Sequence, residues 1–157
     1  MPADRKQLAA EAFWRDGEAS LEHAEAITSI AQRIKFRTKS VVALPIDKKV
    51  HHLIGMPVSE LVAARLLIAY HLTHQRPMMG SFLDALGVKH EAGVIAEDET
   101  PEPTREKLLE AAAVIGKAYP AEDVSLYLST LLWQDPETWG ALSDAPERQV
   151  AEAAEKA

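Results

Sequence analysis

His71 and His74 stand three residues apart and share one face of a helix if the stretch from 57 to 75 is helical. Glu60 precedes His71 by eleven residues, which at about 100° per residue returns to within about 20° of the same direction. Two imidazoles and a carboxylate suit zinc, with a fourth position left for water. Glu60 would nevertheless lie about 16 Å along the axis from His71. A third ligand would have to come from His51, His52, His90 or Glu91. Leu72 and Thr73 separate the two histidines, so the motif His-Glu-x-x-His is absent. Imidazoles at a helix C-terminus are also favoured by the helix dipole without any metal. His71 and His74 are therefore candidate metal ligands only, and the expectation is that they hold none.

Three other groupings could carry chemistry or binding. Ser81 and Asp84 lie beside these histidines in sequence and complete a Ser, His and Asp set. No G-x-S-x-G elbow surrounds Ser81, and Ser81 and Asp84 also fit a local cap near a helix start. A basic stretch, Arg33, Lys35, Arg37 and Lys39 with Lys48 and Lys49, is interleaved with Phe36. Clustered cations are what a phosphate surface needs, but they suit an acidic protein surface equally. Finally, Trp133 and Trp139 bracket QDPET, with Tyr127 a turn and a half earlier. Such aromatics either close the end of a core or form a recognition surface. No catalytic residue and no cofactor-binding fingerprint can be named.

The elements that must position these groups are helical. From Pro57 to about Gln75 the apolar residues Val58, Leu61, Val62, Leu66, Leu67, Ile68, Tyr70 and Leu72 point nearly all round the axis, which predicts a buried central helix. Arg65 and His71 interrupt it well short of a membrane span. Pro77 opens a helix that Gly87 closes. Upstream, helices are expected over 2–15, 18–36 and 45–53; SVVALP between the last two could be an extended connector or a weak partner of GVIA at 93–96, but an isolated ribbon is marginal and irregular structure is expected. Residues 88–103, with Gly93, Pro101, Pro103 and the acidic run Glu97-Asp98-Glu99, read as a long loop. Thr100-Pro101 suggests a helix start running to about Ala118 with Leu108, Ala111, Ala112 and Ile115 buried. Pro120 starts the next, with Val124, Tyr127, Leu128, Leu131 and Leu132 on one face. Asp135-Pro136 opens a short helix through Leu142, and the Ala/Glu-rich tail from Ala145 is expected to fray.

The fold expectation is an all-α, single-domain irregular (orthogonal) bundle of about seven or eight helices spanning residues 1–157 around the helix at 57–75. With 157 residues, one domain of ordinary size has enough core without staples. The absence of cysteine removes disulfides, thiolate metal sites and a cysteine nucleophile together. It is compatible with a cytoplasmic protein, and the N-terminal stretch lacks the apolar run of a signal peptide. Charge is unevenly placed: residues 1–90 carry 12 Lys and Arg against 9 Asp and Glu, and residues 91–157 carry 5 against 15. The net charge of −7 and a pI near 5.4 argue against nucleic acid. The functional expectation is a non-enzymatic helical protein-protein interaction or adaptor module, capable of self-association through that asymmetry. The alternative is a small metal-binding enzyme or sensor using His71 and His74.

Overall fold

The structure, a computed structural model, describes residues 3–148. These residues are mostly helical and fall into two compact units that divide between His74 and Gln75. No helix among them is long and apolar enough to cross a membrane.

The first unit comprises α1 (Ala3–Arg15), α2 (Ser20–Ile34), α3 (Thr38–Val42), α4 (Ile46–Ile54) and α5 (Glu60–His74). Its most enclosed helix is α1, which packs against both α4 and α5. Ala9, Ala10, Ala12, Phe13 and Trp14 are all buried, and the three alanines let neighbouring backbones come close. Around them gather Ile30 and Ala31 of α2, Val41 of α3, Val50 and Leu53 of α4, and Val62 and Ala69 of α5. The half-buried ion pair from Arg65 Nε to Asp16 Oδ2, 2.9 Å, ties α5 to the turn between α1 and α2.

The fully buried central helix expected over 57–75 is not what the structure shows. α5 begins at Glu60 because Ser59, not Pro57, supplies the cap: its hydroxyl accepts from the Val62 N–H at 3.3 Å. Only Val62, Ala69, Tyr70 and His71 are buried, while Leu61 is 52% exposed. The segment expected to be irregular is also different, since Thr38–Val42 is a helical turn. Arg37 is extended before it, and burial of Val41 outweighs the weak strand preference of the two valines.

The second unit comprises α6 (Arg76–Leu86), a hairpin of β1 (His90–Glu91) and β2 (Val94–Ile95), α7 (Arg105–Ala118), α8 (Ala121–Gln134) and the single turn α9 (Pro136–Trp139). A 3-10 turn, Gly140–Asp144, follows. α6 packs on α7, where Ala111 and Ala112 are fully buried, and buries Met78, Phe82, Leu83 and Leu86. Of the faces expected of α7 and α8, Leu108, Ile115, Val124, Tyr127, Leu128 and Leu131 are buried, while Leu132 is half-buried. Burial pushes the Tyr127 phenol well above its ordinary range.

Two helix starts in this unit are set by side-chain caps, those of α7 and α9. α7 begins one turn later than Thr100-Pro101 suggested, because Thr104 Oγ1 accepts from the Lys107 N–H at 3.3 Å. The Asp135-Pro136 start is as expected: Asp135 accepts from the Thr138 N–H at 3.2 Å and from its hydroxyl at 2.6 Å. Those bonds hold the Asp135 carboxyl below the usual carboxylate range. The fraying expected from Ala145 does not begin there. Ala145 is fully buried, and the Ser125 hydroxyl donates to the Arg148 carbonyl at 2.6 Å. The rest of that expectation, residues 149–157, lies outside the described residues.

One helix end is strained. α2 stops at Lys35, whose φ of 59° and ψ of 39° place a side-chain-bearing residue in the left-handed region usually given to glycine. Lys35→Gly is expected to raise stability by about 1 kcal/mol in urea unfolding, by removing the Cβ penalty. A loss of stability instead would show that the Lys35 side chain contributes more than its backbone conformation costs.

Candidate functional site

The end of α2 and the turn of α3 build an unusual surface. The αL residue Lys35 reverses the chain, the Phe36 N–H returns to the Ala31 carbonyl at 3.0 Å, and Arg37 leads into α3. Arg33, Lys35, Arg37, Lys39 and Lys48 are exposed, and Lys49 is half-exposed. None of these six makes an ion pair among the described residues. Lys49 instead lies 5.2 Å above the Trp14 ring, and Arg33 makes a long contact of 3.4 Å with the Gly55 carbonyl. Among the cations sit two large apolar side chains left in water, Phe36 at 52% and Val42 at 55% exposure. Phe36 follows the αL residue, a position that commonly packs back on its helix. Here it faces outward.

The second unit carries a cleft of about 1120 Å³ bordered by Arg76 and Asp84 of α6 and by the segment from Gly87 to Glu97. Residues 88–103, expected as one long loop, contain the hairpin. GVIA does pair as a strand, but with His90–Glu91 and not with SVVALP. Ala92 (φ 49°) and Gly93 (φ 87°) form its two-residue turn, both with the positive φ that a type I′ connection needs. The hairpin is fastened to α6 by side chains: His90 Nε2 to Asp84 Oδ1 at 2.7 Å, and Arg76 to the Ala92 carbonyl at 3.1 Å. Nδ1 of His90 accepts the Gly93 N–H at 3.1 Å.

This pair regroups the residues singled out in sequence. Asp84 meets His90, six residues on, while Ser81 pairs with the Tyr119 hydroxyl at 3.0 Å. Ser81 and Asp84 are therefore directed to different partners. With both ring nitrogens of His90 engaged, the arrangement acts as a fastener and offers no base to a nucleophile. The pairing was missed because it depends on the turn at Ala92-Gly93. Gly93 was the available signal.

His71 and His74 share a helix but not an environment. His71 is buried, with Nδ1 bound to the Leu67 carbonyl at 2.8 Å, so a metal could approach only Nε2; His74 is exposed. Among the described residues no three His, Cys, Asp or Glu side chains gather as a metal requires. The aromatic grouping also divides. Tyr127 and Trp139 are core, flanking the Phe82 ring at centroid distances of 5.5 and 6.1 Å, whereas Trp133 is 57% exposed.

No family model matches the chain, and neither a curated protein nor a solved structure matches it.

The hairpin turn supplies an internally controlled test. A Cβ at Gly93 would lie 2.7 Å from the Met79 Cβ and 2.9 Å from the Arg76 carbonyl oxygen, whereas at Gly87 (φ 72°) it would meet nothing within 4 Å. Gly87→Ala is expected to cost about 1 kcal/mol in denaturant unfolding, the backbone term alone. Gly93→Ala should cost roughly 3 kcal/mol, because overlap adds to the same term. Equal losses would mean that the turn does not rest on α6.

Proposed function

We propose that this protein is a non-enzymatic helical protein-protein interaction module that docks acidic protein surfaces, a second copy of itself included. The observation that carries the reading is the run from Arg33 to Val42: four exposed cations without ion pairs among the described residues, surrounding exposed Phe36 and Val42. Cations steer an acidic partner to the surface, and desolvation of the two apolar side chains then stabilises the docked state. The acidic balance of residues 91–157 supplies a complementary partner in a second copy. The overall acidity of the chain favours protein over nucleic acid as the occupant. A cytoplasmic setting suits a cysteine-free chain. The alternative, a metal site on His71 and His74, has no third ligand among the described residues to support it.

Light scattering after size exclusion, run from micromolar to near-millimolar protein at low and at physiological salt, tests self-association. The expected result is a mass that rises with concentration and falls with salt, and that the double substitution Arg37→Glu with Lys39→Glu returns to the monomer. A monomer throughout at low salt would overturn the self-association.

We also propose that residues 1–157 fold as a single domain, an irregular orthogonal bundle. Far-ultraviolet dichroism and tryptophan emission should then report one coincident unfolding transition. Two separated transitions would divide the chain into independent domains.

A further inference from the structure

The hydrogen bonds of His90 specify its protonation state. A peptide N–H can only donate, so Nδ1, which accepts the Gly93 N–H at 3.1 Å, must carry a lone pair. The single ring proton is therefore on Nε2, donated to Asp84 Oδ1 at 2.7 Å. Gly93 is buried at the turn of the hairpin, within close reach of Met79 and Arg76 on α6. His90 thus joins the hairpin turn to α6 through one relay, from the Gly93 amide through the ring to the Asp84 carboxylate.

We infer that His90 is a proton-operated clip on the hairpin. A second proton has one place to go, Nδ1. Once there it turns the acceptor into a donor facing the Gly93 N–H, and that hydrogen bond is lost. The Nε2 contact survives as an ion pair with Asp84, so the ring stays on α6 while the turn is released from it. The ring has little room to evade the conflict by sliding along α6, because even a Cβ at Gly80 would stand 3.2 Å from His90 Cε1. The charged groups that line the cleft with His90 are of both signs: Asp84 and Arg76 on α6, Lys89 before β1, Glu91 on the hairpin and Glu97 just beyond it. Arg76 also holds the Ala92 carbonyl, so protonation removes one fastening, leaves this one in place and loosens the turn without unfolding the unit. The consequence is a cleft wall, at residues 90–95, whose attachment depends on pH. This inference is independent of the docking surface on α2 and α3.

Nuclear magnetic resonance on the intact chain tests it by following the His90 ring carbons and the Gly93 amide across the same pH series. Gly93 protection, corrected for the intrinsic pH dependence of exchange, should fall roughly tenfold on acidification, the change expected for one lost hydrogen bond to a buried amide. Its midpoint should coincide with the titration of His90. Asp84→Asn keeps an acceptor for Nε2 but removes the charge, so it should move both midpoints together to lower pH. The inference is overturned if Gly93 protection is the same on both sides of the His90 titration. It is equally overturned if Asp84→Asn shifts His90 and leaves the Gly93 midpoint in place.

Discussion

Helices and hairpins can approach one another closely only where the contacting residues are small, and that constraint sets the layout of both units. In the first, Ala9, Ala10 and Ala12 make α1 narrow enough to sit against α4 and α5 together, with Phe13 as the bulky residue that fills the space they leave. In the second, Ala111 and Ala112 admit α6 onto α7. Gly93 brings the idea to its limit, since a single methyl group there would overlap both a side chain and a backbone carbonyl of α6. Large aromatics fill the space that remains: Phe13, Trp14 and Tyr70 in one unit, and Phe82 between Tyr127 and Trp139 in the other.

Polar groups do a different task in the two units. Arg65 and Asp16 form a half-buried pair that anchors a helix to a turn, an arrangement in which partial desolvation makes the interaction worth more than an exposed ion pair. Asp84 and His90 are a mixed case: the carboxylate is largely exposed while the ring is mostly covered. Among the described residues the cations Arg33, Lys35, Arg37 and Lys39 form no ion pair, and with the outward Phe36 they make a surface that is both basic and apolar.

The helical class and most buried faces were legible because they rest on periodicity, which a sequence displays directly. Leu108, Ala111, Ala112 and Ile115 fall at helical spacing, and all four are buried. Boundaries were less legible where two signals competed: Pro57 and Thr100-Pro101 looked like helix starts, yet Ser59 and Thr104 make the capping hydrogen bonds. The extent of burial of α5 was overread, since an apolar residue such as Leu61 advertises a preference and not a partner. At the cleft, sequence held the residue types but not their pairing. Asp84 and His90 meet only because the chain turns back at Ala92-Gly93, and Ala92 is a residue whose type gives no warning of a positive φ.

The hairpin itself is minimal, two residues per strand. An exposed sheet edge ordinarily presents a row of unpaired peptide groups on which another chain can extend the ladder, and proteins blunt such edges by shortening them. Here the edge is so brief that it offers almost no template for growth into a larger sheet. The hairpin is thereby guarded against amyloid-like assembly by its length alone. Contacts between copies would consequently be read through side chains, where charge and shape discriminate among partners, and not through a backbone pairing that accepts nearly any sequence.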